Sequence, residues 1–436
     1  VGHPRGAITK QAKTVPTLKP FQIEGAQFLA ARTRALLAGE PGTGKTAQFI
    51  TAANLVGARR VAVVAPGVGL THWQREFNKW NFQGDRADVI SWDDAHEHRD
   101  LFLQAGGPAR VPMQWDVLIP DEVHFGKNPQ ARRAKAVLGK HGLGWYARRI
   151  WAGSGTPAPN HAAELWPMLH AFGRAKMDLQ AFTNYFCVVD GRGKVRGNRE
   201  DHIDELRGIL KEFTLRRLKK DVLPELGPID VQEWYVAPNA RFMWEVEPET
   251  DSLESQLRGM SDDELMDFLG SQSTELATLR RYNALLKAPA VFDAVKFELE
   301  NGLLDKVVIY AHHKDAMAAL QREFVAAGIG SILIYGDTPM AERDGLIEKW
   351  KRDPGTPVNI SSIKIAGTVL DYTAAHQVIM LEMDWVPGNN SQAMQRPHRI
   401  GQDKPVTVRV AIGTPVDEIV TGVLVRKTKA IDEIFS

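Results

Sequence analysis

The stretch Arg34 to Thr46, RALLAGEPGTGKT, has the residue types and spacing for phosphate chemistry. Gly39, Gly44, Lys45 and Thr46 occupy the fixed positions of a G-x-x-x-x-G-K-[ST] loop. Glycines let successive backbone N–H groups turn inward on phosphate oxygens, and a helix starting at the loop's end aims its positive pole at the same place. Gly42 and Thr43 belong to that cradle, Lys45 reaches the outer phosphates, and Thr46 offers its hydroxyl to magnesium. The loop implies a bound nucleotide without saying what the nucleotide drives.

Downstream, an apolar run at Val117 to Pro120 leads straight into Asp121-Glu122-Val123-His124. Two adjacent acids at a strand's carboxyl end suit a phosphate loop, with Asp121 holding magnesium and Glu122 polarising the attacking water. Arg149 to Gly153 predicts another strand, opening into Ser154-Gly155-Thr156-Pro157, whose hydroxyl pair could sense a terminal phosphate. Ahead of the loop, Gln22 carries a planar amide able to exchange two hydrogen bonds with an adenine edge.

Positioning these groups requires an alternation of strands and helices. Phe21, Gly25, Phe28 and Leu29 have helical spacing before the loop, and Val61 to Pro66 reads as a strand buried on both faces. Trp73, Phe77 and Trp80 then form a helical stripe, with Trp73 as a core residue rather than a stacking platform. From about Pro159 to Pro289 the pattern is mostly helical, with Ser261 to Glu264 as a capping box before Leu265, Phe268 and Leu269. The basic cluster Arg216 to Lys220 fits a helix face that is either solvated or in contact with phosphates. A second alternation follows, with strands at Lys306 to Ala311, Ser331 to Tyr335, Val358 to Ser361, Gln377 to Glu382 and Val406 to Val410. Repeated alternation argues for two parallel-sheet α/β lobes in tandem.

Composition sets bounds. The 436 residues allow two or three domains, and 44% hydrophobic with 25% charged residues is ordinary for a globular chain. A net charge of +1 means that a nucleic-acid partner must be held by a local groove of Lys and Arg. The single cysteine, Cys187, allows no internal disulfide and reads as a buried small apolar residue. No run of about 18 apolar residues suggests a membrane span, and the default expectation is a cytoplasmic chain of prokaryotic or viral origin, or a nuclear one if eukaryotic.

The motifs in this order resemble helicase superfamily two, and within it the Swi/Snf-type ATPases. The likeness rests on Glu40-Pro41-Gly42 before Gly-Lys-Thr, on Val64-Ala-Pro66 followed by Trp73 and Glu76, and on His124-Phe125-Gly126-Lys127-Asn128. It also rests on Thr156-Pro157 with Asn160 and Glu164-Leu165-Trp166, on Phe213 to Val222, and on Gln392-Ala-Met-Gln395-Arg396-Pro-His398-Arg399-Ile-Gly401-Gln402. Ala311-His312-His313-Lys314 and Glu382 before Asp384-Trp385 are most similar to the HepA-related annealing-helicase branch.

The resemblance implies an α/β fold of two tandem RecA-like parallel-sheet lobes with helical protrusions. Residues 1–17 would be an arm, 18–228 a first lobe with a protrusion near 159–226, and 229–436 a second lobe with a protrusion near 240–290, the arginine motif and a C-terminal helix. ATP with magnesium would sit between the lobes, with Gln22 and Gln392 among its contacts. Arg396 and Arg399, three apart and expected on one side of a helix, would neutralise charge on the transferred phosphoryl group. The implied partner is double-stranded DNA for a monomeric translocase, gripped through phosphates by Lys127, Asn128, Gly336, Thr338, Ser361 and Ser362, with Trp385 lying against DNA or packed in the protein.

Two alternatives stand beside this expectation: an RNA or single-strand unwinding helicase of the same superfamily, and a non-catalytic ATP-gated DNA clamp. The chain departs from the family at Val369, Asp371 and Val386, in blocks that couple phosphate state to DNA contact.

Overall fold

A computed structural model describes residues 15–155, 157–158, 161–237, 257–261, 264–265, 268, 274–366 and 370–433. Thr156, Asn160, Leu269 and Val369, most of the N-terminal arm and much of the 240–290 segment lie outside the described residues.

Two compact units divide between Val222 and Leu223. The first contains β1 (Arg34–Gly39), β2 (Arg60–Ala65), β3 (Arg86–Ser91), β4 (Trp115–Pro120), β5 (Ala147–Gly153), a small hairpin of β6 (Cys187–Val189) and β7 (Val195–Asn198), and β8 (Thr214–Arg217). Apart from the hairpin these make one six-stranded sheet in the order β3-β2-β4-β5-β1-β8, with every pair parallel. The second unit contains β9 (Asp230–Tyr235), β10 (Val307–Ala311), β11 (Ser331–Ile334), β12 (Val358–Ser362), β13 (Gln377–Met380) and β14 (Thr407–Ile412). They form a parallel sheet in the order β11-β12-β10-β13-β14-β9. The expected tandem of RecA-like parallel-sheet lobes is therefore observed.

The continuous apolar runs follow from covering both faces of each sheet. Successive side chains of a strand point to opposite sides, so Leu36 and Ala38 enter one core cluster while Ala35 and Leu37 enter the other. In β10, Val308 and Tyr310 face one cluster and Val307, Ile309 and Ala311 the other. Cys187 is buried, and burial pushes its thiol up to about 11, as befits a packing residue.

Two expectations need correction. The 159–289 stretch is not simply helical, since β6, β7, β8 and β9 lie within it. Arg216 and Arg217 belong to β8, and only Lys219–Val222 is helical in the basic cluster. Partner strands far away in sequence capture these segments: β8 pairs with β1 and β9 with β14. Edge strands carry charge without an apolar run, and β9 is exposed along most of its length. The capping box is present, with Ser261 N donating to Glu264 Oε2 at 2.8 Å and Glu264 N to Ser261 Oγ at 3.3 Å.

The second unit contains a buried ionic network at the ends of β10 and β13. Glu382 accepts from the His312 and His313 backbone amides at 2.8 and 2.9 Å and contacts His313 Nδ1 at 2.7 Å, with Arg280 Nε 3.5 Å away. Burial alone would raise this carboxyl, yet the His313 hydrogen bond and the Arg280 charge hold it down at about 2, against 4.5 ordinarily. A group depressed in this way contributes stability that is fully present above the unfolded value and lost as pH falls through the folded one. Glu382→Gln, which removes the foremost of the three carboxylates acting on buried Arg280, is expected to cost about 3 kcal/mol in urea unfolding at neutral pH. The gap between wild type and variant should close as pH is lowered from 4.5 towards 2; a gap that stays constant over that range would contradict the assignment.

Candidate nucleotide site

β1 lies between β5 and β8, and its carboxyl end opens into the loop Glu40–Gly44 before the helix Lys45–Leu55. The loop turns on Gly42 and Gly44, at φ 90° and 74°, where a β-carbon is strained. At Gly44 space forbids one as well, since an added Cβ would lie 2.3 Å from Gln22 Nε2.

Two amides lock this turn from behind. Gln22 Nε2 and Gln48 Nε2 both donate to the Thr43 carbonyl, at 3.2 and 3.3 Å, and both side chains are buried. The other end of the Gln22 amide, Oε1, accepts from Lys19 N at 2.9 Å. The amide assigned to an adenine edge is thus engaged in holding the loop. Gly25, read as one position of a helical stripe, has a stricter role: a Cβ there would fall 1.8 Å from Gln48 Oε1. Thr43 Oγ1 donates to Glu40 O at 2.8 Å, Lys45 Nζ donates to Gly39 O at 2.8 Å, and Thr46 is half-buried at the first turn of the helix.

The acids come in from β4, two strands away from β1. Asp121 forms a bridge to Gly153 at the end of β5, which lies between them. Trp73 Nε1 donates to Asp121 Oδ2 at 2.8 Å, and Trp92 Nε1 donates to Asp121 O at 2.8 Å. Burial first, and then the Glu122 charge, push the Asp121 carboxyl up to about 6, against the pull of Trp73 and Lys45. The influence of Lys45 ties the acid to the loop within one unit.

Glu122 adopts a left-handed backbone, φ 49°, uncommon for a side chain of its size. That turn brings Glu122 Oε2 to 3.4 Å from His124 Nδ1 and 3.5 Å from Ser154 Oγ, while His124 Nδ1 contacts Ser154 Oγ at 2.9 Å. Burial is the main force driving His124 down to about 3, so it is a neutral hydrogen-bonding ring. Ser154 therefore joins the acid pair; Thr156 lies outside the described residues.

Lys127 pairs with Glu164 at 2.8 Å, and Asn128 Oδ1 accepts from Gln130 N at 2.9 Å in an exposed turn. In the second unit Gly336 is exposed, whereas Thr338 is buried and its loop is braced by Arg343, whose Nη2 and Nε donate to Gly336 O at 2.8 Å and Thr338 O at 2.9 Å. Ser361 and Ser362 are buried in β12, and the Ser361 hydroxyl is spent on Asn359 and Tyr372, at 2.8 and 3.1 Å. That hydroxyl lies in the core, away from any phosphate outside. Trp385 packs beside an apolar cluster with the Arg280 guanidinium 4.5 Å over its ring. Asp371, a departure from the family pattern, is paired with Lys351 at 2.7 Å and caps Thr373 N at 3.0 Å.

The arginine motif corrects the helical expectation. The helix Pro387–Met394 contains Gln392 but ends before Arg396 and Arg399, which lie in turns. Pro397 explains the stop, because it disfavours helical backbone at Arg396 and has no N–H to donate. Arg396 is buried and Arg399 half-buried, with Arg399 Nη1 3.5 Å from Leu370 O. His398, with Nε2 2.9 Å from Gly227 O, ties the turn to the start of the unit.

The SNF2-related domain matches residues 108–241, and the helicase conserved C-terminal domain matches residues 290–401. The chain thus carries an SNF2-related domain followed by a helicase conserved C-terminal domain, as the Swi/Snf-type resemblance implies. The first match contains Asp121 and Glu122 and the second contains Arg396 and Arg399, while the phosphate loop precedes both. A cattle protein named "DNA annealing helicase and endonuclease ZRANB3" is 30% identical over 443 residues, covering 94% of this chain and 40% of its own length. The fruit-fly "SWI/SNF-related matrix-associated actin-dependent regulator of chromatin subfamily A-like protein 1" is 26% identical, covering 97% of this chain and 57% of its own. The chain thus spans about two fifths of the first and under three fifths of the second. The solved "Sulfolobus solfataricus SWI2/SNF2 ATPase core in complex with dsDNA" is 20% identical with a TM-score of 0.43, covering 98% of this chain and 95% of that one. An SNF2-related domain implies nucleotide use. Among the described residues no helix is long and apolar enough to cross a membrane.

The Trp73–Asp121 bond offers a direct check. Trp73→Phe removes the indole donor and leaves a half-buried carboxylate short of a partner, so it should lower stability by about 2 kcal/mol in chemical denaturation. Gln74→Ala, one residue away and exposed, serves as the control; equal losses in the two variants would argue against the bond.

Proposed function

We propose that the chain is an ATP-dependent motor on double-stranded DNA, with remodelling or annealing as the outcome of its movement. The observation that carries this is the meeting, in one unit, of a glycine turn built on Gly42 and Gly44 with the Asp121–Glu122 pair at strand ends of the same sheet, close enough for Lys45 to act on Asp121.

The residues fit a magnesium–nucleotide. Gly42 and Gly44 take the loop through left-handed backbone, Lys45 brings an ammonium to the loop, and Thr46 and Asp121 are oxygen donors of the kind magnesium takes. Among the described residues no cluster of three His, Cys, Asp or Glu could hold a metal by itself, which suits an ion held jointly with substrate phosphates. When bound, magnesium neutralises charge on the phosphates. The chain's own groups do the rest. Loop amides and Lys45 orient the triphosphate, Trp73 and Trp92 fix Asp121, and Glu122 aligns the attacking water with His124 and Ser154 as its neighbours. Arg396 and Arg399 are assigned the charge on the transferred phosphoryl group, and Gln392 a nucleotide contact.

Double-stranded DNA as the track follows the family and the names of the relatives, which act on DNA. Exposed Asn128 and Gly336 are the better placed of the expected phosphate contacts, with Lys127 and Thr338 beside them. Grip through phosphates would be salt-sensitive and sequence-tolerant.

A steady-state ATPase assay with and without duplex DNA tests the proposal. Duplex should stimulate hydrolysis, and Lys45→Ala should reduce the stimulated rate by roughly 100-fold or more. Hydrolysis indifferent to duplex would sink the motor, and full activity in Lys45→Ala would sink the site.

A further inference from the structure

A groove of about 500 Å³ opens on the first unit, between the helix Arg132–Val137 and the helix Trp166–Ala171. Its ionisable lining consists of Arg99, Lys135, Lys140 and His170, without a carboxylate. Lys135 and Lys140 are exposed, and neither has an ion-pair partner among the described residues. Arg99 pairs with Asp100 at 2.6 Å, but the same carboxylate also faces Arg132 at 3.8 Å, so one negative charge is shared by two positive ones.

Two further features go with the charge. Ala134 and Leu138 give the groove an apolar floor. The Trp166 and His170 rings are stacked, 4.7 Å apart and 25° from parallel, and Trp166 is fixed by its indole N–H on Met177 O at 3.0 Å. His170 is exposed, and both rings line the groove.

We propose that this groove binds a single strand of nucleic acid, apart from the nucleotide site and from the duplex contacts assigned above. Cations along a groove follow a phosphate backbone, and a flat aromatic face stacks a base whatever its sequence. A duplex keeps its base faces inside its own stack and cannot use the Trp166–His170 platform. An acidic peptide would match the charge but leave the platform idle. The inference stands apart from ATP turnover: it concerns binding, and it would let one unit hold a loose strand while the motor engages duplex.

The test uses the full chain without nucleotide and a fluorescent thymidine oligonucleotide. Anisotropy should show salt-dependent binding, weakened about tenfold or more by Lys135→Glu with Lys140→Glu. Each phosphate neutralised on a single strand adds roughly 0.7 to the slope of log affinity against log salt, so removing both lysines should lower that slope by about 1.4. Both positions are exposed, so thermal unfolding and duplex-stimulated ATPase should be unchanged, which separates failure here from failure of the motor. A photoreactive thymidine analogue should crosslink within residues 129–140 or 166–179. Unaltered binding in the double variant, crosslinks elsewhere, or displacement of the strand by polyglutamate more readily than by unlabelled oligonucleotide would each overturn the proposal.

Discussion

One carbonyl group, that of Thr43, is the point on which the first unit's chemistry depends. For a backbone to present its amides to phosphate it must turn through left-handed glycines, and such a turn has little of its own to hold it. Here Gln22 and Gln48 donate to the Thr43 carbonyl from two different helices, and Thr43's own hydroxyl closes back on Glu40. Gly25 exists so that the helices can approach closely enough for Gln48 to reach, and Gly44 so that Gln22 can. Two glycines and two glutamines, scattered along the sequence, make a single clamp.

The acid pair is held by a similar economy. Asp121 is braced by two tryptophans, one from a helix and one from a strand end, the first on its carboxylate and the second on its carbonyl. Rigid indole donors suit a carboxylate whose proton affinity is already raised by burial and by Glu122. They fix its direction without adding a second charge. The left-handed turn at Glu122 is a local cost that separates the two carboxylates in direction and brings Glu122 to His124 and Ser154.

Much of this is legible in the residues. The loop, the acids and the apolar strands appear as contiguous patterns, and each forms where its pattern predicts. Trp73 has the helical spacing of a core residue and is one, but its indole bond to Asp121 spans 48 positions and leaves no local signal. β8 and β9 are illegible for the opposite reason: their sequences are polar, and pairing with distant strands makes them strands. The spacing of Arg396 and Arg399 allows a helix, yet Pro397 lies between them and decides the turn. Ser361 has the residue type of a loop hydroxyl and sits in the core, because β12 is a central strand with both faces covered.

By itself, then, the sequence determined the repeated parallel-sheet architecture, the glycine turn that leads into a helix, and the two adjacent acids at a strand's end. These are properties of short runs, set by side-chain period, glycine freedom and fixed spacing. Only the tertiary structure decided which groups support them: Gln22 as a brace, Gly25 as a clearance, Trp73 and Trp92 as donors to Asp121, Lys127 as the partner of Glu164, and Asp371 as the partner of Lys351. The reason is physical. Hydrogen bonds and ion pairs act over a few ångströms of space whatever the distance along the chain, so a residue's partner is fixed only when the fold brings the two together.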